Sequence, residues 1–151
     1  MMKEVKSQAK VGVSVESLWK ALALDMRFII PSVVPNLVKE VQIIEGDGSL
    51  GTVLLFNFAS GVPHMSYQKE KIVELDDSLH RISLQVVEGG HLNLGFSSYT
   101  TTFQLTASGE QETSVDIIVA YESQAEETAN PLKTIASSLG FIKCLENYLL
   151  N

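Results

Sequence analysis

The chain has 151 residues, 45% of them hydrophobic and 19% charged, which is typical of one folded domain and excludes a disordered chain. A net charge of -7 disfavours DNA, RNA and anionic membranes as partners, because binding a polyanion requires clustered Lys and Arg. The one cysteine, Cys144, permits no intrachain disulfide, and the chain has neither a leader-like start nor an apolar run long enough to span a membrane. We therefore expect one domain over residues 1–151 in the cytoplasm, with an exported protein that has lost its leader as the alternative.

The N-terminal part predicts one strand and two short helices. Polar and apolar residues alternate over Glu4–Val13, as they do in a half-buried strand. Ser14 is a suitable capping residue for a helix over Ser14–Ala23, whose apolar side chains fall on one side. Pro31 and Pro35 should break the apolar segment that follows, so we expect a second short helix and then a bend.

A period of two runs from Val38 to Tyr121 and predicts about six strands joined by short turns, which is an antiparallel meander. The turns are expected at Glu45–Gly51, Ser60–His64, Leu75–His80, Glu88–His91 and Ala107–Glu112. Between Asn130 and Leu150 the apolar residues recur at three- and four-residue steps, which predicts a long helix. The predicted fold class is therefore α+β, with one seven-stranded antiparallel sheet and the long C-terminal helix across its concave face.

The strand expected in Met65–Glu74 carries the most informative pattern. If Lys69 and Lys71 are left in water, Gln68 and Glu70 turn toward the core. Buried amide and carboxyl groups are costly unless they are hydrogen-bonded, and a ligand with donor groups could supply the partners. The alternative is that Glu70 is a solvated or paired carboxylate with no binding role.

The neighbouring strands add apolar walls that contain a few polar groups. Arg81–Val87 and Ser114–Tyr121 each have one apolar face, and Phe96–Leu105 has a mixed face with aromatic and hydroxyl groups. The members of that mixed face are Tyr99, Thr101, Phe103 and Leu105. Such walls are typical of small-molecule pockets, although ordinary cores also contain Thr and Tyr.

The other motifs of the sequence predict no phosphate-binding, nucleophilic or metal site. The glycine cluster "EGDGSLG" (Glu45–Gly51) lacks the Lys-Ser/Thr ending of a phosphate-binding loop and precedes a strand, so we expect a tight turn. Cys144 is expected to be a buried, inert thiol. The three histidines fall at predicted turns without a metal-ligand spacing; they are His64, His80 and His91. We predict no catalytic residue, no metal and no cofactor.

The order of these elements resembles the plant pathogenesis-related class 10 family, the birch-pollen-allergen type. The most specific motifs are "EGDGSLGT" after the second strand and "VVEGG" at the end of a later strand. The resemblance covers essentially the whole chain. It implies a helix-grip fold, in which the sheet wraps around the long helix, an internal cavity for plant small molecules, and an association with the defence response.

Several stretches are similar to the cytokinin-specific, or phytohormone-binding, branch of that family: "VKEVQIIEGDG", "LLFNF", "SYQKE", "LQVVEGG" and "YTTTFQL". In that branch a Gln and a Glu of the "SYQKE" strand hydrogen-bond the hormone, which implies this role for Gln68 and Glu70. A Tyr of the long helix also takes part there, whereas Phe141 stands at the matching place here. Some relatives bind gibberellin-type acids, so the resemblance leaves the hormone open. The partner would be a small hormone or related metabolite, bound by a monomer or weak dimer. We expect the rest of the cavity lining to be Thr101, Tyr99, Phe103, Phe141, Leu139, Leu22 and Ser138.

Two other functions stay open at this point. The norcoclaurine-synthase branch shares "KEK" and "EGG-x-L-x-LG" with this chain, and its catalytic Glu matches Glu70. Its catalytic Lys would fall near Ile82 or Ser83, where no Lys stands, and its Tyr and Asp would fall on Gln68 and Thr101. A synthase or isomerase of alkaloid metabolism would thus lack its amine. The third alternative is a general carrier of flavonoids or sterols.

Overall fold

The structure is a computed structural model that describes residues 2–62, 65–123 and 131–151, without the side chains of residues 131 and 132. Its strands are β1 (Lys3–Val11), β2 (Val38–Glu45), β3 (Val53–Phe58), β4 (Tyr67–Asp76), β5 (Arg81–Gly89), β6 (Phe96–Gly109) and β7 (Glu112–Ser123). Its helices are α1 (Val15–Ala23), α2 (Met26–Val33) and α3 (Pro131–Leu150), and a short 3₁₀ helix spans Gly90–Leu94. Within the described ranges, no helix is both long and apolar enough to cross a membrane.

All seven strands form one antiparallel sheet in the order β1-β7-β6-β5-β4-β3-β2. The strand that precedes the two short helices pairs with the last strand, so β1 and β2 form the two edges of the sheet. Helix α3 packs mainly against β1 and β7 and also contacts the two short helices. The predicted helix-grip architecture is confirmed, and it turns one face of every strand toward a shared interior.

The period of two correctly identifies the inward face of the central strands. Val115, Ile117 and Val119 of β7 have no exposed surface, and the alternate residues between them are half-buried. On β5 the predicted apolar face is buried in the same way. Alternating pattern and burial agree here because the outer face of the sheet meets water while the inner face meets helices.

The predicted second short helix and the bend after it are both present, but Pro31 does not break the segment, because α2 continues through it to Val33. Proline lacks an N–H, so the backbone carbonyl of Arg27 loses the helical hydrogen bond that residue 31 would have made. Arg27 is exposed, and water can therefore solvate that carbonyl at little cost. The bend follows at Val34 instead. At the start of α1 the predicted cap is confirmed, since Ser14 Oγ accepts from Ser17 N at 3.2 Å.

The glycine cluster between β2 and β3 is a tight turn, as predicted. Its three glycines have positive φ, and a Cβ at Gly46 would lie 2.7 Å from Thr52 Oγ1. Thr52 is fully buried and accepts from Gly48 N at 2.8 Å, while Asp47 accepts from Ser49. The loop's own side chains therefore occupy its backbone donors at these positions. The predicted turn at Ser60–His64 lies partly outside the described residues, as does the predicted helix start at Asn130.

Two polar contacts fix helices against the sheet. Glu146 of α3 is 7% exposed and accepts from Gly12 N at 2.6 Å just after β1, while Lys143 of the same helix also donates to it. Trp19 of α1 donates to Asp77 at 3.0 Å in the turn between β4 and β5. Each contact joins a helix side chain to one defined group next to a strand. The contacts therefore set where each helix lies as well as how strongly it packs.

Candidate functional site

Gln68 and Glu70 of β4 face the interior, as the strand parity predicts. Gln68 is 6% exposed, whereas Lys71 on the opposite face is exposed. Lys69, also on the outer face, pairs with Glu88 at 3.2 Å. Because the two lysines face water, the same strand places one amide and one carboxyl group in the interior. Both groups need hydrogen-bond partners there.

The Gln68 side chain is the centre of a short hydrogen-bond chain. Its Oε1 accepts from His91 N at 3.1 Å and contacts His91 Nδ1 at 2.9 Å. Its Nε2 donates to Glu70 Oε2 at 3.0 Å. The chain therefore runs from the 3₁₀ helix through the amide to the carboxyl group, and it satisfies most of the polar atoms that the strand parity places inside.

Two glycines at the end of β5 make room for this chain. Gly89 pairs with Gln68 in the sheet register, and the next residue, Gly90, has a φ of +49°. A Cβ at Gly90 would lie 1.9 Å from Gln68 Oε1, which is far inside any allowed contact. The "EGGH" segment is therefore shaped so that the Gln68 side chain lies directly on the backbone of Gly90 and reaches His91.

An aromatic wall holds the imidazole. His91 stacks on Tyr99 with ring centroids 3.9 Å apart and an interplanar angle of 14°, and Phe96 meets both rings edge-on. Tyr99 is 4% exposed, and its hydroxyl donates to the Thr134 carbonyl of α3 at 3.5 Å. The site thus lies where β4, β6 and the 3₁₀ helix meet, with α3 at the far end of the Tyr99 ring.

Burial shifts the acid–base properties of all three titratable groups. It raises the pKa of Glu70 from 4.5 to about 7, because protein replaces the water around the charge, and the Gln68 N–H opposes this only in part. It lowers the pKa of His91 from 6.5 to about 4, so the imidazole is neutral at pH 7. Burial and then the charge of Glu70 raise the pKa of Tyr99. Near neutral pH, Glu70 is therefore present in both its acid and its base form.

One Glu70 oxygen remains available to another molecule. Oε2 accepts from Gln68, and no residue that the structure describes donates to Oε1. Every fully enclosed side-chain nitrogen or oxygen of the described residues has a partner, so the unpartnered Oε1 keeps accessible surface. The residue as a whole is half-buried. The carboxyl group is therefore removed from bulk water yet still able to accept a hydrogen bond.

The other predicted lining residues fall into two groups. Thr101, Leu139 and Phe141 are half-buried, and the ring of Phe141 lies 6.2 Å from that of Phe103. Leu22 is 1% exposed and belongs to α1, which packs against β6, β7 and the other helices and not chiefly against β4. Ser138 of α3 is also buried. The structure thus brings Tyr99 into the neighbourhood of Gln68 and Glu70, and it places Leu22 in tightly packed core.

His91 is the residue that the sequence analysis missed. The sequence predicts it in a turn without a metal-ligand spacing, whereas its ring lies in the aromatic wall, and its backbone N–H and its ring Nδ1 both reach Gln68 Oε1. A usable signal was its place directly after Gly89-Gly90, at the end of a strand that pairs with β4. His64, by contrast, lies outside the described residues. In the ranges that the structure describes, no three His, Cys, Asp or Glu side chains converge to hold a metal.

The positions that match the synthase lysine carry no amine and do not both face the site. Ile82 is fully buried, while Ser83 contacts Thr102 at 2.7 Å and donates to Glu74 at 3.0 Å. Cys144 is half-buried on α3 and not fully enclosed as predicted, since its helix face lies at the edge of the core.

Comparisons with known proteins agree with this architecture. The chain is 32% identical over 131 residues to norbelladine synthase from Narcissus pseudonarcissus, covering 86% of this chain and 80% of that protein. It is 28% identical to the major pollen allergen Bet v 1-M/N from Betula pendula, covering 96% and 92% of the two chains.

Solved structures of other proteins share this fold. Norcoclaurine synthase from Thalictrum flavum, in complex with dopamine and hydroxybenzaldehyde, superposes with a TM-score of 0.82 at 25% identity and covers 99% of this chain and 87% of that one. Ginseng major latex-like protein 151 from Panax ginseng superposes with a TM-score of 0.86 at 20% identity, covering 99% of both chains. The model of the pathogenesis-related protein Bet v 1 family matches residues 1–151, and the chain therefore belongs to that family.

Proposed function

We propose that residues 1–151 form a single domain that binds a small plant hormone of the cytokinin type non-covalently, in a cavity between the sheet and α3. The observation that carries the proposal is the Gln68–Glu70 pair, which faces inward and keeps one carboxylate oxygen without a partner among the described residues. The resemblance to the phytohormone-binding branch of the family supports the same two residues. We place the protein in the cytoplasm, as a monomer or weak dimer.

The chemistry of the pair suits an adenine derivative. A cytokinin is an adenine that carries an isoprenoid tail, and its N–H groups can donate to Glu70 Oε1. Gln68 Nε2 uses one hydrogen on Glu70 and has a second hydrogen for a ring nitrogen. Side chains that remain half-buried, such as Thr101 and Phe141, would then line the space for the tail.

Phe141 is a departure from the hormone-binding branch that this chain resembles, where a tyrosine stands at the matching place. The phenylalanine ring supplies apolar contact next to Phe103 but has no hydroxyl to hydrogen-bond a ligand. Recognition of the polar edge would then rest on β4 and its neighbours and not on α3.

A synthase is the second candidate function. Its support is the relationship to norbelladine synthase, together with a buried carboxyl group, Glu70, that can both take and give a proton near neutral pH. Against it stand Ile82 and Ser83 at the positions of the synthase lysine, because neither residue can protonate an intermediate as an ammonium group does. A carrier without hormone preference is the third candidate.

Native mass spectrometry with a panel of ligands separates these functions. The protein is incubated with trans-zeatin, a gibberellin, a flavonoid and a sterol at equal concentration, and product formation from dopamine and hydroxybenzaldehyde is measured in parallel. We expect a complex with trans-zeatin at the lowest ligand concentration and no condensation product. Equal occupancy by the flavonoid and the sterol would favour the carrier, and steady product formation would favour the synthase.

A further inference from the structure

We propose that His91 is a positioning residue of the ligand site: by donating twice to Gln68 Oε1, it turns the Gln68 NH₂ group toward Glu70 and the ligand. The inference rests on the proposed hormone-binding function and deepens it, because it specifies the edge that a ligand must present. That edge carries a ring-nitrogen acceptor beside an N–H donor.

The orientation of the Gln68 amide follows from its partners. Backbone N–H groups can only donate, so the Gln68 atom 3.1 Å from His91 N must be the oxygen. The same oxygen lies 2.9 Å from His91 Nδ1, which must therefore carry a proton. The amide nitrogen is left to donate to Glu70 at 3.0 Å. The reversed amide would aim its oxygen at the Glu70 carboxylate and its NH₂ at the His91 backbone N–H, which can only donate.

The surroundings of His91 hold its imidazole neutral and in a fixed orientation. Stacking on Tyr99 and the edge-on contact with Phe96 fix the ring plane, which keeps Nδ1 aimed at Gln68. Burial keeps the pKa of His91 near 4, so the neutral ring with a proton on Nδ1 persists at neutral pH. His91 thus acts through Gln68, as a second group that sets the direction of the first.

The fixed amide selects between ligand classes. A Gln68 N–H beside Glu70 Oε1 offers one donor and one acceptor side by side, and purine edges have the complementary pair. A gibberellin-type acid is ionised at neutral pH, so its carboxylate presents two acceptors to this pair and brings its charge against that of ionised Glu70. The geometry therefore favours an adenine-type ligand over a gibberellin-type acid.

The first test is made on the ligand-free protein. Long-range ¹H–¹⁵N NMR spectra distinguish the two neutral tautomers of a histidine. We expect the proton of His91 on Nδ1 at pH 7, and a proton on Nε2 would overturn the inference whatever the protein binds.

The second test uses two variants that separate the ring from its donor. His91→Phe keeps a ring that can stack on Tyr99 but loses the Nδ1–H, whereas His91→Asn keeps a side-chain N–H and loses the ring. Calorimetry compares benzyladenine with its 1-deaza, 3-deaza and 7-deaza counterparts, each of which replaces one ring nitrogen by C–H. In the wild type we expect one counterpart to bind at least about tenfold more weakly, which is the effect of one lost hydrogen bond.

The ratio of the affinity for benzyladenine to the affinity for the weakest-binding counterpart should then distinguish the variants. His91→Phe keeps the backbone N–H that donates to Gln68 and loses only the Nδ1–H, so we expect the ratio to fall toward about threefold there and to return toward the wild-type ratio in His91→Asn. A wild-type ratio in His91→Phe would overturn the role of His91 while leaving the proposed function intact. If the wild type binds neither benzyladenine nor any counterpart, the proposed function itself fails, and the role of His91 in it fails too.

Discussion

The Glu70→Gln variant is expected to be more stable than the wild type at neutral pH, by about 1–3 kcal/mol in the free energy of unfolding. Burial raises the pKa of Glu70 from 4.5 to about 7, so the folded protein must either leave the group protonated or bury its charge. In the unfolded chain Glu70 is surrounded by water, so neither cost arises. A glutamine of similar size is neutral at every pH and can still accept from Gln68.

The sign of the pH dependence follows from the same shift. Below pH 4.5 Glu70 is protonated in both the folded and the unfolded state and contributes nothing to the difference. As the pH rises toward 7, the unfolded state releases the proton first, so the stability of the wild type falls through this range. Urea unfolding between pH 4 and pH 8 measures the free energy of unfolding of the wild type and of Glu70→Gln. We expect the difference between the two free energies to grow with pH.

Glu74→Gln is the matched control on the same strand. A register shift between Ile72 and Glu74 leaves its carboxyl group partly exposed, and the hydrogen bond from Arg81 holds its pKa below 4.5. Its contribution is therefore present above that pH and lost toward acid, which is the opposite dependence. If Glu70→Gln and the wild type lose stability in parallel across the whole range, Glu70 is not the buried carboxyl group described here.

Gly90→Ala should have the largest effect on the site itself. The added Cβ would lie 1.9 Å from Gln68 Oε1, and an alanine is strained at a φ of +49°. Gln68 must then leave its position, which breaks its hydrogen bonds to both His91 and Glu70. We expect unfolding to become easier by about 2–5 kcal/mol and ligand binding to be lost.

Gly51→Ala serves as the control for backbone strain alone. Gly51 has a φ of +91°, but an added Cβ there would meet no atom within 4 Å. Its loss of stability should therefore be about 1–2 kcal/mol, with ligand binding unchanged. Equal stability and equal binding of the two variants would show that Gly90 is not shaped around Gln68.

Much of this fold and half of its site follow from local patterns. The turns and the period of two specify an antiparallel meander, and the lysines of β4 specify which way Gln68 and Glu70 face. Both inferences work because strand geometry couples neighbouring side chains to opposite faces without reference to the rest of the chain. The resemblance to the family also rests on linear motifs, and the family model that matches residues 1–151 confirms it.

The rest depends on contacts between distant segments. His91 joins the site because β5 pairs with β4, which brings the residue after Gly90 to the end of the Gln68 side chain. The sequence shows only that His91 follows Gly89-Gly90, and the meeting itself depends on the register in which β5 pairs with β4. Pro31 was misjudged for a related reason, since a helix tolerates a proline where the orphaned carbonyl can reach water, and exposure is a property of the packed fold.

The most direct test of the central claim is calorimetric titration of trans-zeatin into the wild type and Glu70→Gln at pH 8, where Glu70 is largely ionised. If Glu70 accepts a hydrogen bond from the ligand, the variant should bind about 1–3 kcal/mol more weakly, a loss of roughly fivefold to 150-fold in affinity. The stability measurements above ensure that both proteins are folded in this experiment. Absence of heat with the wild type, or equal affinity of the two proteins, would contradict the account.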